Sequence, residues 1–240
     1  MDQCLHTAMY FFLKNLSFDL CLISIIVPKS ILNCLPNNTS ISFPGCVLQV
    51  LLVIHFVGSE VSILTAMSYD RYVTICHPLH YGVVMNNTAC GKLAAASWIL
   101  GGVFGGLYAT GTFSLSFCGS RRVPQFFCDL PSLLKISCSK DHITINVSVA
   151  IGIFYGFFCL LVIVFSYIYI FNTVLRIPSA QGRSQALSTC LPHLMAVTTF
   201  PLTGAIAYLK PVPESPSLLA LLLSCCTQYS SLSEPHYLQP

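Results

Sequence analysis

Residues 142–175 read HITINVSVAIGIFYGFFCLLVIVFSYIYIFNTVL and contain no aspartate, glutamate, lysine or arginine. A helix needs about 20 mostly apolar residues to cross the hydrocarbon core of a bilayer. This run exceeds that length, so it predicts a membrane-spanning helix. Residues 93–120 and 184–209 are also free of these charged residues and predict two more spans.

Two other apolar stretches contain isolated charges. Residues 45–69 are interrupted only by Glu60, and residues 8–28 only by Lys14 and Asp19. Charged side chains inside a membrane are costly and are usually retained for a function or placed near a helix end. Both stretches therefore still predict spans.

The composition of the whole chain agrees with a membrane protein. Only 8% of the 240 residues are charged and 55% are hydrophobic, whereas soluble proteins carry about 25% charged residues. Residues 215–233 are uncharged as well, but their apolar part, residues 218–226, is too short for a sixth crossing. The sequence predicts an all-α, multi-pass transmembrane helix bundle with five spans, in a single domain covering residues 1–240.

Several function classes are excluded by motif and charge. The chain has no H-E-x-x-H, G-x-S-x-G, Walker loop or dinucleotide fingerprint. Its net charge of +3 is small and scattered, unlike the basic face of a nucleic-acid binder. His77 and His80 have a proline between them and no carboxylate or thiol cluster nearby, which favours ordinary loop histidines over a metal site. We expect no enzyme, no nucleic-acid partner and no metal centre.

The charged residues and the cysteines predict opposite orientations of the chain in the membrane. Lys and Arg are slightly more frequent on the side that holds residues 119–141, which favours a cytoplasmic location for that side. Cys118, Cys128 and Cys138 lie in or beside the same loop, and Cys46 opens a span on that side. Disulfides persist only on the oxidising face. Because four cysteines within reach of one another are the more specific pattern, we predict that this side is lumenal or extracellular.

Asp70-Arg71-Tyr72 closes the second span at the membrane boundary. An arginine at a helix end can simply extend its guanidinium into the interface, and charge pattern alone favours this interpretation. The alternative is a switchable Asp–Arg latch whose arginine is released towards a cytoplasmic partner.

Two carboxylates are predicted inside the bilayer, Glu60 in the second span and Asp19 in the first. A buried carboxylate costs several kcal/mol unless it is paired, protonated or bound to a cation. A sodium ion or a proton shared by Asp19 and Glu60 is one interpretation. In the other, each accepts hydrogen bonds from hydroxyls of Ser17, Ser59 or Ser62.

Motifs spread along the chain resemble the vertebrate olfactory receptors, a branch of the rhodopsin-like G protein-coupled receptors. In chain order the matching segments are LHTAMYFFL at 5–13, MSYDRY at 67–72, ICHPLHY at 75–81, FFCD at 126–129, Ser166-Tyr167 and LSTCLPHL at 187–194. The resemblance covers roughly residues 1–224. It implies that residues 29–44, 119–141 and 210–214 lie outside, in agreement with the cysteines.

The same resemblance implies specific pairings and partners. It implies disulfides between Cys46 and Cys128 and between Cys118 and Cys138. It also implies a small hydrophobic odorant, bound among the outer halves of three helices, although plain helix packing explains the same positions. The candidate ligand-binding residues are Val53, Ile54, Val57, Gly58, Ile151, Tyr155, Gly204 and Tyr208.

For signalling, the resemblance implies activation of a heterotrimeric G protein at the plasma membrane. Ligand binding would bias the bundle towards a state in which one helix swings out. Arg71 would then leave Asp70 to meet the G protein, with Tyr72 and Tyr167 beside it.

The chain departs from the family pattern in ways that support other hypotheses. Its first residues resemble the family's first intracellular loop, and residues 225–240 form an atypical tail. Asp19 is rotated by about 100° on its helix relative to the family pattern, Gln185 replaces a usual lysine, and Pro201 replaces a frequent tyrosine. The alternative expectation is a truncated, non-signalling product retained in the endoplasmic reticulum. A small channel or transporter using Asp19 and Glu60 is a third hypothesis, although no inverted repeat supports it.

Overall fold

The computed structural model describes residues 41–115, 117, 122–123, 128, 133, 137–138 and 143–209; at 41, 122–123 and 203–209 it describes the backbone alone. In this part of the chain the elements are, in order, strand β1 (Ile41–Ser42), helix α1 (Phe43–Cys76), a 3-10 turn (Pro78–His80), helix α2 (Tyr81–Val84), helix α3 (Asn87–Phe113), strand β2 (Arg122–Val123), helix α4 (Ile143–Leu175) and helix α5 (Ala180–Leu209).

Three of the described helices are long and apolar enough to cross a membrane. They are α1 with 34 residues, α3 with 27 and α4 with 33. They confirm the helices predicted over residues 45–69, 93–120 and 142–175. The helical fold class is confirmed; β1 and β2 add only a two-residue antiparallel ladder that pairs Ile41 with Val123.

Helix α5 confirms the helix predicted over residues 184–209, although it begins earlier, at Ala180. Its 30 residues span about 45 Å at 1.5 Å per residue. Its composition is more polar than that of the other three long helices, so its crossing is supported by length and not by apolarity. The predicted span at 8–28, the short apolar run at 218–226 and the tail at 225–240 lie outside the described residues.

Local sequence explains where the helices begin and end. Helix α1 has Pro44 in its first turn, where the missing N–H costs nothing, and it ends just before His77-Pro78 because a proline disfavours helix in the preceding residue. Helix α3 is capped by Asn86, whose Oδ1 accepts the Ala89 N–H at 2.8 Å. Helix α5 is capped by Ser179, whose Oγ accepts the Gly182 N–H at 3.3 Å.

Helices α1 and α3 approach each other closely at two glycines. A Cβ added to Gly105 would lie 2.8 Å from the Leu51 carbonyl oxygen, and one added to Gly101 would meet Ser59 and the His55 carbonyl. Gly101 and Gly105 form a G-x-x-x-G motif, which lets backbones of membrane helices pack tightly. Beside it, the ring of His55 packs edge-on against Trp98 with centroids 4.5 Å apart.

The chain forms two compact units, Met1–Tyr167 and Ile168–Pro240. Helix α4 is continuous across the boundary, and α5 belongs to the second unit. The single domain predicted over residues 1–240 stays a prediction.

Candidate functional site

At the amino-terminal end of α1 a disulfide joins Cys46 to Cys128, with an S–S distance of 2.06 Å. This confirms the predicted pairing. The backbone N–H of Cys128 also donates to Oε1 of buried Gln49 at 3.3 Å. The loop is therefore attached to α1 by a covalent bond and a hydrogen bond. Sequence reasoning missed Gln49, which lies one turn after Cys46 on the same face.

The disulfide is covered by an apolar cluster. Cys46, Val50, Cys128 and Leu133 are buried together, with Ile54, Tyr108, Phe113 and Phe117 packed against them. Phe43 adds edge-on contacts to Phe113 at 5.3 Å and to Phe117 at 5.8 Å. This end of α1 is therefore fixed relative to the end of α3.

Cys138 is also disulfide-bonded. An isolated antiparallel bridge pairs Phe117 with Ser137, the residues that precede Cys118 and Cys138 in sequence. Cys118 itself lies outside the described residues, so its pairing with Cys138 stays a prediction.

At the other end of α1, Asp70 is 1% exposed and accepts a hydrogen bond from the Tyr81 hydroxyl at 2.8 Å. Tyr81 begins α2 and is buried with Val73 and Met85. The carboxylate of the predicted latch is thus held by the loop that follows α1. Sequence reasoning did not single out Tyr81; the signal available was an aromatic hydroxyl just beyond the His-Pro turn.

The neighbours of Asp70 in the motif occupy different positions. Arg71 is half-buried and adjoins the buried carboxylate. The Tyr72 hydroxyl lies 3.0 Å from Nε2 of His77, so both residues fix the turn that ends α1. His77 therefore has a structural contact, and His80 is exposed in the same turn.

The turn and helix α2 display apolar side chains. Leu79 is 93% exposed and Val83 is 77% exposed. These residues lie at the end of α1 opposite the disulfide, beside the contact between Asp70 and Tyr81. Both side chains are therefore available for contact with a partner at this end of α1.

Glu60 is 4% exposed, in the middle of α1. The Ser59 hydroxyl donates to the His55 carbonyl at 2.8 Å, and the Ser62 hydroxyl donates to the Gly58 carbonyl at 2.8 Å. Both hydroxyls thus donate to backbone carbonyls, and the interpretation in which Glu60 accepts a hydrogen bond from them stays a prediction. Asp19 and Ser17 lie outside the described residues, so the shared sodium ion or proton stays a prediction.

The ligand candidates on α1 face different surroundings. Ile54 packs against the disulfide cluster, and Val53 and Val57 are half-buried. A Cβ on Gly58 would lie 3.3 Å from Cα of Gly101 and 3.7 Å from Cβ of Phe104. Gly58 therefore lies in the contact between α1 and α3.

The two ligand-binding candidates on α4 also have different surroundings. Ile151 is 42% exposed, whereas the Tyr155 hydroxyl lies 2.6 Å from Oγ of Ser62. The Tyr155 ring stacks on Phe104 with centroids 4.4 Å apart. Tyr155 therefore joins α4 to both α1 and α3. Sequence reasoning considered Ser62 only as a partner of Glu60 and missed Phe104.

The remaining candidates lie further along the chain. Tyr167 is 5% exposed, towards the inner half of α4. Gly204 and Tyr208 lie in α5, at positions where only the backbone is described. The contribution of Gly204 and Tyr208 to ligand binding, and that of Tyr167 to G-protein coupling, stay predictions.

Comparison with known proteins identifies relatives over most of the chain. The family model described as olfactory receptor matches residues 1–213. The chain is 59% identical to Olfactory receptor 14K1 of Homo sapiens over 225 residues, which is 93% of this chain and 72% of that protein. Over the same shares of each chain it is 53% identical to the human Olfactory receptors 14A2 and 14A16.

With the membrane-spanning helices and the disulfide-linked loop, these matches define the class as a multi-pass membrane receptor. The chain belongs to the olfactory receptor family. Members of this family are G protein-coupled receptors and not enzymes, so the exclusion of enzymatic activity is confirmed.

Proposed function

We propose that the chain binds a small hydrophobic odorant and activates a heterotrimeric G protein at the plasma membrane. The observation that carries this proposal is the buried hydrogen bond of 2.8 Å between Tyr81 and Asp70, next to Arg71. A carboxylate at a membrane boundary needs such a donor to remain buried at low cost.

The contact between Asp70 and Tyr81 supports a two-state mechanism. In the resting state the loop hydroxyl of Tyr81 holds the carboxylate of Asp70, which directly precedes Arg71 in the sequence. A ligand that binds the alternative arrangement more tightly shifts the population towards it. In that arrangement Arg71 is released from Asp70 and contacts the G protein, while Tyr72 and Tyr167 line the same end of the bundle.

The exposed side chains of the turn support a docking role. Leu79 and Val83 present apolar surface beside the motif. Burying one large apolar side chain in a partner contributes about 1.5–3 kcal/mol. We assign Leu79, with 93% exposure, as the apolar contact for the G protein and Arg71 as its charged contact.

The outer half of the bundle supports a ligand of low polarity. The candidate positions Val53, Ile54, Val57 and Ile151 carry aliphatic side chains. Tyr155 is the polar side chain among those described for this site. Pockets of this composition suit small, mostly apolar molecules with one polar group.

The experiment is a comparison of three receptors at equal expression: wild type, Arg71→Ala and Lys92→Ala. Lys92 is an exposed cation at the same end of the bundle and serves as the matched control. We expect Arg71→Ala to reach the cell surface but to lose the cyclic-nucleotide response to a panel of medium-chain alcohols and ethers. Lys92→Ala should respond as wild type does.

Two outcomes would contradict the proposal. A wild-type response from Arg71→Ala would overturn the role of Arg71 in coupling. Wild-type receptor found only in the endoplasmic reticulum by surface labelling, with no response, would favour the non-signalling alternative.

A further inference from the structure

The polar contact between α1 and α4 has a defined direction. A serine hydroxyl carries one proton, and the proton of Ser62 is donated to the Gly58 carbonyl at 2.8 Å. The arrangement that satisfies both contacts of Ser62 has Tyr155 as the donor at 2.6 Å and Oγ of Ser62 as the acceptor. The single phenolic proton of Tyr155 is thus committed to Ser62.

The same hydroxyl has a second partner on α4. The Cys159 thiol, one turn further along α4, is hydrogen-bonded to the Tyr155 hydroxyl. Because the proton of Tyr155 is committed to Ser62, the thiol must donate. The order is Cys159 thiol to Tyr155 hydroxyl to Ser62 hydroxyl to Gly58 carbonyl, and hydrogen bonds in such a chain strengthen one another.

The ring of Tyr155 is also fixed by contacts with a neighbouring helix. It stacks on Phe104 of α3 at 4.4 Å, and Gly58 lies against the same phenylalanine. Rotation of the hydroxyl towards another acceptor would break its bond to Ser62. Among the described residues, the Tyr155 hydroxyl donates its proton to Ser62 and accepts from Cys159. One lone pair of its oxygen is left to accept a further hydrogen bond.

We propose that Ser62 determines ligand class, by making Tyr155 a hydrogen-bond acceptor towards the bound molecule. This inference rests on the proposed function, in which Tyr155 contacts the ligand. The receptor then prefers molecules that donate a proton, such as alcohols, over molecules of the same size that only accept one, such as ethers. Ser62 acts as a positioning residue, because it orients the proton of Tyr155.

The test uses the full chain in cells with two probes, n-octanol and its methyl ether. Wild type should respond to octanol at the lower concentration. In Ser62→Ala the proton of Tyr155 becomes available to the ligand, so the potency of the ether relative to octanol should rise by about threefold to tenfold, the equivalent of one hydrogen bond. Tyr155→Phe should weaken the response to octanol and leave the ether response unchanged.

Thr65→Ala is the matched control. Thr65 also donates its hydroxyl to a backbone carbonyl on α1, that of Val61 at 2.8 Å, but it does not contact Tyr155. The potency of the ether relative to octanol should be the same in Thr65→Ala as in wild type. An unchanged ratio in a responding Ser62→Ala receptor would overturn this inference alone, whereas silence of all variants towards both probes would overturn the proposed function as well.

A second measurement needs no ligand response. The infrared C–O stretching band of tyrosine reports whether the hydroxyl donates or accepts a hydrogen bond. In wild type, the C–O stretching band that Tyr155→Phe removes should lie at the frequency typical of a tyrosine hydroxyl that donates a hydrogen bond. A position typical of a hydroxyl that only accepts would contradict the assigned direction.

Discussion

At the scale of single residues, function depends on polar groups whose partners lie far away in the sequence or in another element. The clearest case is Asp70, whose buried carboxylate is bonded to Tyr81 across the turn that ends α1. Glu60 is buried in the middle of the same helix, and its contribution to a cation site stays a prediction. Both residues lead to direct tests.

Tyr81→Phe removes the hydrogen-bond donor to Asp70 and leaves the apolar packing in place. Losing a donor to a buried charged group costs about 1–3 kcal/mol, which destabilises the resting state. We expect ligand-independent G protein activity to rise, measured as basal cyclic nucleotide at equal surface expression. Tyr69→Phe, at a position that is 42% exposed, should leave basal activity unchanged. Basal activity of Tyr81→Phe at or below the wild-type level would refute the resting-state role.

Glu60→Gln tests the proposed sodium ion. If Glu60 contributes to a cation site, replacing sodium with N-methylglucamine at constant ionic strength should change agonist potency in wild type. Allosteric coupling of this kind is typically fivefold or more. The substitution keeps the shape of the side chain but removes its charge, so agonist potency at Glu60→Gln should not depend on sodium. Equal sodium dependence in both receptors would exclude Glu60 as a ligand of the ion.

At the scale of elements, apolar runs predicted the helices because length and hydrophobicity alone decide whether a segment crosses a bilayer. The runs did not predict which helix faces meet. The bond between Tyr155 and Ser62 joins residues 93 positions apart, and the contact of Cys128 with Gln49 joins residues 79 positions apart. Such contacts depend on the rotation of packed helices, which a single sequence does not encode locally.

Gly105→Ala tests the close packing of α1 and α3. Alanine favours helix over glycine by about 1 kcal/mol, but at this position its Cβ would lie 2.8 Å from the Leu51 carbonyl oxygen. We expect a lower Tm in detergent, since overpacking costs about 1–3 kcal/mol. At Gly106 an added Cβ meets nothing within 4 Å, so Gly106→Ala should keep or raise Tm. Equal shifts in the two variants would contradict the packing account.

At the scale of the whole molecule, the disulfide sets the orientation that the charges obscure. Cys46 and Cys128 are joined at the amino-terminal end of α1, and disulfides persist on the oxidising side of a membrane. We therefore expect α1 to carry Asp70 and Tyr81 to the opposite, cytoplasmic side. The positive-inside rule favours the opposite orientation only weakly, because only a few charges separate the two sides.

Glycosylation mapping tests this orientation. A sequon introduced between residues 119 and 141 should be modified in the endoplasmic reticulum, because that loop is predicted to be lumenal. A sequon introduced beside Arg183 should remain unmodified and serves as the control. Modification beside Arg183 alone would mean that the chain is inverted and that Arg71 cannot meet a cytoplasmic partner.

The central claim is that this member of the olfactory receptor family activates a G protein through the end of α1 that holds Asp70, Arg71 and Tyr81. The most direct measurement is guanine-nucleotide exchange on a purified heterotrimeric G protein, added to membranes that contain the full chain and an activating alcohol. The account predicts ligand-dependent exchange by wild type, which is lost in Arg71→Ala and retained in Lys92→Ala. Exchange that is independent of Arg71, or absent from correctly oriented wild-type receptor at the cell surface, would contradict the account.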